Sequence, residues 1–165
     1  MPPQERSAVE PEPESDRTFV IARTIDAPAR LLFEAYSAPE HLMSWFGPPG
    51  YPLTLCEMDF RVGGRYRFAM TGPDGKRGTP FGGTYLEIVP NEKIVYDNRF
   101  EMEGAETMIV AVTFEERGGK TSLTIRTVFG SLAMKKQHLG MGYEQGVGAG
   151  CDQLAAHVAR MAERA

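Results

Sequence analysis

The chain has 165 residues, the usual size of one domain, and folding at this size buries roughly two-thirds of the surface of the unfolded chain. Hydrophobic residues make up 42% and charged residues 24% of it, which excludes wholesale disorder and fibrous repeats. Its 18 basic and 22 acidic residues are interspersed, with a net charge of −4, so it lacks the basic stripe of a nucleic-acid-binding protein.

The first 17 residues differ in composition from the rest. The segment from Met1 to Arg17 is rich in proline and glutamate and has neither the basic start nor the apolar run of a signal peptide. Because it offers little apolar area to offset the entropy of ordering, we expect residues 1–17 to be a disordered tail before one domain at residues 18–165. No stretch approaches the ~20 apolar residues of a membrane span, and we expect a cytoplasmic protein.

At the start of the domain, the pattern of apolar residues predicts one strand and two short helices. The strand covers residues 18–25, where small or apolar side chains lie on both faces. Asp26 and Pro28 then favour a helix start, so a helix is predicted over 29–36. A second helix is predicted over 40–45, before the sequence Gly-Pro-Pro-Gly ends it.

Six further strands are predicted from alternating apolar and polar residues. The turns between them are short and rich in glycine, proline or asparagine, so consecutive strands are joined by hairpins and the sheet is antiparallel. With the first strand they predict a curved sheet of seven strands in an α+β domain. These six strands cover residues 51–60, 65–70, 82–89, 93–100, 107–115 and 120–128.

A long helix over residues 142–165 is predicted to cover the sheet, because Leu154, Val158 and Met161 share one helical face. Its first half contains four glycines, each costing about 1 kcal/mol relative to alanine inside a helix. Either these small residues let the helix approach the sheet or a ligand closely, or the helix start is frayed or kinked. The glycines are Gly142, Gly146, Gly148 and Gly150.

The cysteines and histidines give no support for a metal site. Cys56 and Cys151 are far apart and belong to no C-x-x-C motif, and without a secretory signal two reduced thiols are favoured over a disulfide. The histidines His41, His138 and His157 form no metal-binding motif; His138 is expected in a polar loop and His157 on an outer helix face. Neither a metal nor a cofactor is predicted.

Several short motifs, in this order and spacing, resemble the helix-grip superfamily of START-like and polyketide-cyclase-like proteins (SRPBCC), specifically the branch named for the activator of the heat-shock protein 90 ATPase. The resemblance covers nearly everything from Thr18 onward. It implies a sheet that grips the C-terminal helix and leaves a deep apolar cavity between them. The motifs are SAPEHL (37–42), WFGP (45–48), DFRVGGRYRF (59–68), GTYLEI (83–88), Pro90 and Glu92 before IVY (94–96), and YEQG (143–146).

The predicted ligand site consists of the residues that this fold would turn toward the cavity, although an ordinary core is the competing interpretation for most of them. Many relatives carry a tryptophan where this chain has Val147, which implies a roomier cavity. Glu87 shares a predicted strand face with Tyr85 and faces either the cavity or solvent. The site residues are Trp45, Phe46, Tyr66, Phe68, Met70, Tyr85, Glu87, Tyr96, Met108, Val110, Tyr143, Val147 and Cys151.

Three functions are compatible with these features. The leading hypothesis is a non-catalytic domain that binds a small apolar or aromatic molecule. The second is a co-chaperone-like module that docks on a heat-shock chaperone, as the resemblance implies. The third is a cyclase- or hydratase-like enzyme that uses Glu87, Tyr96 or Tyr143 for proton transfer. The sequence leaves the oligomeric state open, a homodimer included.

Overall fold

In the computed structural model, which describes residues 12–164, seven strands form one antiparallel sheet. Its order is β1-β7-β6-β5-β4-β3-β2, so each strand from β2 to β7 pairs with the next along the chain, and β1 adds to β7. This confirms the predicted fold class. The strands are β1 (Thr18–Ile25), β2 (Leu53–Met58), β3 (Arg65–Met70), β4 (Phe81–Val89), β5 (Lys93–Phe100), β6 (Met108–Arg117) and β7 (Lys120–Val128).

Four α-helices accompany the sheet. Three of them were predicted, and α3 was not. The hydroxyl of Ser131 caps α3 by accepting a hydrogen bond from the backbone N–H of Met134 at 3.0 Å. None of the described helices is long and apolar enough to cross a membrane. They are α1 (Ala29–Ser37), α2 (Pro39–Trp45), α3 (Leu132–Gly140) and α4 (Tyr143–Arg164).

The core lies between the inner face of the sheet and α4. Leu154, Val158 and Met161 are buried along α4, as their spacing predicts. Opposite them, alternate residues of β6 such as Val112 are buried, so α4 and the sheet share one hydrophobic interior. Each fully buried side chain of this size contributes about 1.5–3 kcal/mol to folding, which is what holds the long helix in place.

The glycines of α4 give the helix close contacts and do not interrupt it. The helix is continuous from Tyr143, which excludes a frayed start. A Cβ atom at Gly148 would lie 3.1 Å from a guanidinium nitrogen of Arg23, so this glycine lets β1 approach the helix. Gly150 is buried, yet a Cβ atom there would meet no atom within 4 Å. Space is therefore left beside the helix at Gly150.

The turn between β2 and β3 depends on two glycines in different ways. Gly63 has a φ of 85°, a conformation that glycine adopts readily. Gly64 has no positive φ, but a Cβ atom there would overlap the carbonyl oxygen of Asp59. The carboxylate of Asp59 pairs with Arg61 at 2.8 Å.

Most of the predicted tail, residues 1–11, lies outside the described residues. Its last part, Glu14–Arg17, is a 3₁₀ helix that contacts the body of the domain. The guanidinium of Arg17 donates to the carbonyl oxygen of Phe129 at 2.9 Å, and Glu14 pairs with Arg126 at 2.7 Å. These charge-assisted hydrogen bonds order residues that the sequence assigned to a disordered tail.

Candidate functional site

A cavity of about 270 Å³ lies between the sheet and the first half of α4; we call it the central cavity. Apolar and aromatic side chains make most of its wall. Every predicted site residue except Glu87 lines it. The structure thus brings together Trp45, Phe46, Tyr66, Phe68, Met70, Tyr85, Tyr96, Met108, Val110, Tyr143, Val147 and Cys151.

One end of the central cavity is built by α2 and the loop that follows it. Trp45, the last residue of α2, is buried, and its indole N–H donates to the carbonyl oxygen of Ala35 at 2.9 Å. The side-chain amide of Gln153, on α4, donates to the carbonyl oxygens of Trp45 at 2.7 Å and Gly47 at 2.5 Å. Because Gly47 and Pro48 line the cavity, Gln153 fastens one wall to the helix.

The sheet supplies an aromatic wall because alternate residues of β3, β4 and β5 face inward. The ring of Tyr66 lies 5.4 Å from that of Tyr85 and 5.6 Å from that of Tyr96, centroid to centroid. Phe68 extends the row at 4.8 Å from Tyr66. Such aromatic pairs are worth about 0.5–1.5 kcal/mol each beyond the area they bury, so this wall is rigid before any ligand arrives.

The helix α4 supplies the opposite wall. Gly146 and Gly150 lie one turn apart and both line the central cavity. Because a Cβ atom at Gly150 would meet nothing within 4 Å, the space beside it belongs to the cavity. Val147 and Cys151 are their neighbours in this wall, and the valine stands where the resemblance led us to expect a larger side chain.

Two tyrosine hydroxyls around the cavity form hydrogen bonds with other groups of the protein. The hydroxyl of Tyr66 donates to the side-chain oxygen of Asn98 at 2.7 Å and also lies 2.8 Å from the carbonyl oxygen of Asp97. The hydroxyl of Tyr143 bonds to that of Thr127 at 2.9 Å, and Thr127 is fully buried. These hydroxyls hold the wall together and have less capacity left for a ligand.

The hydroxyls of Tyr36, Tyr85 and Tyr96 differ from these. Within residues 12–164, none of the three makes a hydrogen bond, although all three side chains line the cavity. Burial raises the pKa of all three phenols well above the ordinary value for tyrosine, and the Tyr96 hydroxyl raises that of Tyr36 further. Burial also raises the pKa of the Cys151 thiol. These groups are therefore neutral near pH 7, and the three phenols are free to donate.

The structure adds lining residues that the sequence did not indicate, most notably His138. It belongs to α3, and its ring lies 5.3 Å from that of Phe129 and 5.9 Å from that of Tyr143. Its Nδ1 atom lies 3.0 Å from the carbonyl oxygen of Met134. The prediction of a polar loop at His138 was wrong, because a helix capped by Ser131 forms there. The serine was the feature of the sequence that could have indicated the start of this helix.

Tyr36 was also missed. It shares a face of α1 with Leu32 and Phe33, and the sequence pattern gave no reason to place that face at the site. Its ring lies 4.9 Å from that of Trp45, which the sequence did place in the site. The other lining residues not predicted are Leu42, Gly47, Pro48, Phe60, Phe81, Ile94, Asn98, Phe100, Ile125, Gly146, Gly150 and Leu154.

Glu87 is the predicted site residue that does not reach the cavity. Tyr85 pairs with Tyr96, but Glu87 pairs with Val95, so β4 has one extra residue between them. This β-bulge reverses the alternation beyond it. As a result Glu87 is exposed, and its carboxylate lies 3.3 Å from the ammonium nitrogen of Lys93.

His157 does not lie on an outer helix face. It is buried, and its Nε2 atom lies 2.9 Å from Nδ1 of His41. The other ring nitrogen of His41 lies 3.4 Å from the carboxylate of Glu34. The three residues connect α4, α2 and α1 outside the central cavity. Within residues 12–164, no group of His, Cys, Asp or Glu is arranged to hold a metal ion.

Comparisons with known proteins agree with this architecture. A solved structure from Chromobacterium violaceum is 31% identical, has a TM-score of 0.74, and is matched over 86% of this chain and 96% of its own. One from Mycobacterium smegmatis is 26% identical with a TM-score of 0.78, over 90% of this chain and 95% of its own. One from Nitrosomonas europaea, 20% identical, shares the fold with a TM-score of 0.81, over 92% of this chain and 99% of its own.

No protein of curated function matches the sequence at a comparable level of similarity. Residues 26–159 match the family described as "Activator of Hsp90 ATPase homolog 1-like protein". That match covers most of the chain and includes every residue that lines the central cavity. The resemblance seen in the sequence motifs is confirmed. The chain therefore belongs to the family of activator of Hsp90 ATPase homolog 1-like proteins, within the START-like superfamily.

Proposed function

We propose that this protein binds a small, mostly apolar molecule in the central cavity and does not catalyse a reaction on it. The observation that carries the proposal is a cavity of about 270 Å³ with aromatic walls. Small-molecule sites are typically concave and mostly apolar, with a few placed polar groups. Here those groups are the hydroxyls of Tyr36, Tyr85 and Tyr96.

The energetics of burial are sufficient for binding. A ligand that loses roughly 200 Å² of apolar surface to the cavity gains about 5 kcal/mol, at about 25 cal/mol per Å². Hydrogen bonds add to this gain, and the loss of translational and rotational freedom reduces it. A net gain of about 5 kcal/mol corresponds to a dissociation constant of about 0.2 mM, so we expect submillimolar to millimolar binding of a ligand that fills the space.

The chemistry of the wall supports binding over proton transfer. A general base must lose its proton near the working pH, but burial raises the pKa of the cavity phenols well above their ordinary values. Glu87, the carboxylate considered for this role, faces outward beside Lys93. The phenols of Tyr36 and Tyr96 therefore act as hydrogen-bond donors.

Fluorescence of Trp45 provides the test, because it is the single tryptophan and lines the cavity. We expect toluene and similar small neutral compounds to change its emission saturably. Gly150→Leu fills the space beside α4 and should weaken the response about tenfold or more. The matched control is Ala156→Leu, which adds the same side chain to an exposed position of the same helix.

The control should respond like the unaltered protein, and circular dichroism should show that both variants are folded. A flat Trp45 signal across a broad set of apolar compounds would refute the proposal. So would a Gly150→Leu variant that binds as well as the Ala156→Leu control.

A further inference from the structure

The charge of the cavity wall restricts what can enter it. Among the described residues, those that line the central cavity include no Asp, Glu, Lys or Arg. An ion that enters such a cavity loses its hydration and finds no group of opposite charge. The free-energy cost of this desolvation is far larger than the gain from apolar contacts. The polar groups present are phenols, a thiol, an amide and an imidazole. The ligand that this wall accepts is therefore uncharged.

The volume sets the size of the ligand. The central cavity has a volume of about 270 Å³. Drug-sized molecules occupy pockets of roughly 300–1,000 Å³, so the central cavity lies at the small end of this range.

The sheet wall favours an aromatic molecule. Gly146 and Gly150 leave space beside α4 on one side, and Tyr66, Phe68 and Tyr96 present rings on the other. An aromatic ring of the ligand can pack against these rings. Aromatic pairs add about 0.5–1.5 kcal/mol to the contribution of buried area.

The hydroxyls of Tyr36 and Tyr96 require an acceptor. Each has a proton to donate and no partner within residues 12–164. Both side chains line the same cavity. A purely hydrocarbon ligand packed against these hydroxyls would leave the donors without a partner, and that loss reduces affinity.

We propose that the central cavity selects small neutral aromatic compounds that carry a carbonyl or ether oxygen. The ring packs beside Gly146 and Gly150 of α4, and the oxygen accepts a hydrogen bond from Tyr36 or Tyr96. This inference rests on the proposed binding function and adds the class of ligand to it.

Calorimetric titration with three probes tests the inference. Acetophenone is a neutral aryl ketone of the right size, α-methylstyrene has the same shape with a methylene group in place of the oxygen, and benzoate is a charged analogue. We compare the original protein with the double variant Tyr36→Phe/Tyr96→Phe. Tyr51→Phe, which removes the hydroxyl of an exposed tyrosine outside the cavity, is the matched control.

We expect acetophenone to bind and benzoate not to bind at pH 7. The affinity for acetophenone relative to α-methylstyrene should fall about tenfold in the double variant, equivalent to about 1.4 kcal/mol, and should stay constant in Tyr51→Phe. Because phenylalanine preserves the ring, the double variant should remain folded, as its melting curve will show.

Two results would overturn the inference, and they have different meanings. If the double variant keeps the same ratio of affinities, or if benzoate binds as tightly as acetophenone, the ligand class is wrong while binding in the cavity stands. If neither neutral probe binds the folded protein, both the ligand class and the proposed function fail.

Discussion

The hydroxyl groups of Tyr96 and Tyr143 line the same cavity but have different structural roles. That of Tyr143 bonds to the hydroxyl of Thr127, which is fully buried on β7. That of Tyr96 has no partner within residues 12–164. Removing one partner of a buried hydrogen bond leaves the other unsatisfied, whereas removing an unpaired hydroxyl costs little. One hydroxyl therefore stabilises the fold and the other is available to a ligand.

We expect Tyr143→Phe to lower the free energy of unfolding by about 1–3 kcal/mol, because it leaves the buried hydroxyl of Thr127 without its partner. Tyr96→Phe should change it by less than about 0.5 kcal/mol. Urea denaturation of the two variants measures both values. Equal losses would show that the Tyr96 hydroxyl is bonded in the folded protein.

The pair His41 and His157 links helices by a single hydrogen bond between two imidazoles. Burial lowers the pKa of His157 below its ordinary value of 6.5, and His41, Arg160 and Arg164 lower it further. Folding thus weakens proton binding to His157, so the unfolded chain takes up this proton first as the pH falls. The stability that depends on a neutral His157 is therefore fully present above pH 6.5 and is lost as the pH falls below this value.

The free energy of unfolding should therefore decrease as the pH is lowered from about 7.5 toward 5. His157→Gln retains a polar side chain but cannot take up the proton, and its decrease over this range should be smaller. Denaturant titrations at several pH values measure the difference between the two proteins. Parallel curves would mean that His157 does not control the acid sensitivity.

At the scale of elements, β4 shows why the site was predicted incompletely. In a regular strand, residues two positions apart lie on the same face, so the sequence placed Glu87 on the face of Tyr85. The β-bulge adds one residue between them and turns Glu87 to the other face. The intervening Leu86 is exposed, and an apolar residue there gives no sign in the sequence that the alternation changes. A bulge depends on pairing with the neighbouring strand, so it is invisible to the pattern of one strand.

Helix α3 was missed for a related reason. Met134 is its one buried residue, so it has no apolar stripe of the kind that identified α4. By contrast, the spacing of Leu154, Val158 and Met161 was sufficient to predict the long helix. A helix held mainly by its cap and by contacts with other segments gives a weak periodic signal.

Gln153 should control the loop that closes one end of the cavity. Replacing it by alanine removes both hydrogen bonds to the carbonyl oxygens of Trp45 and Gly47, and we expect a loss of about 1–2 kcal/mol in stability. Amide hydrogen exchange in residues 46–52 should become faster. Asp152→Ala, at the exposed neighbouring position, is the control. Unchanged exchange in Gln153→Ala would show that the loop is held in another way.

At the scale of the whole molecule, most of the fold could be predicted because each hairpin strand carries its own alternating pattern. Four strands have the observed bounds: Thr18–Ile25, Arg65–Met70, Lys93–Phe100 and Lys120–Val128. The cavity wall followed from those patterns together with the family resemblance. The contact between His41 and His157 could not be predicted from the sequence, because 116 positions separate them and only the packing of α4 on α2 brings them together.

The N-terminal segment is expected to divide into two parts. Deleting residues 1–11, which are poor in apolar side chains, should change the free energy of unfolding by less than about 1 kcal/mol. Deleting residues 1–17 should cost more, because it removes the bond from Arg17 to Phe129 and the ion pair of Glu14 with Arg126. Melting curves of both truncated proteins give the comparison. Identical melting temperatures would show that the 3₁₀ helix contributes nothing.

The central claim is that a small neutral molecule occupies the cavity between sheet and helix. Amide chemical-shift mapping by NMR during titration with acetophenone tests it most directly, because the shifts locate the ligand. We expect saturable shifts concentrated at Gly146 and Gly150 on α4 and at Tyr96 on β5, with the outer face of the sheet unchanged. Shifts confined to the outer face, or no saturable shifts in the folded protein, would contradict the account.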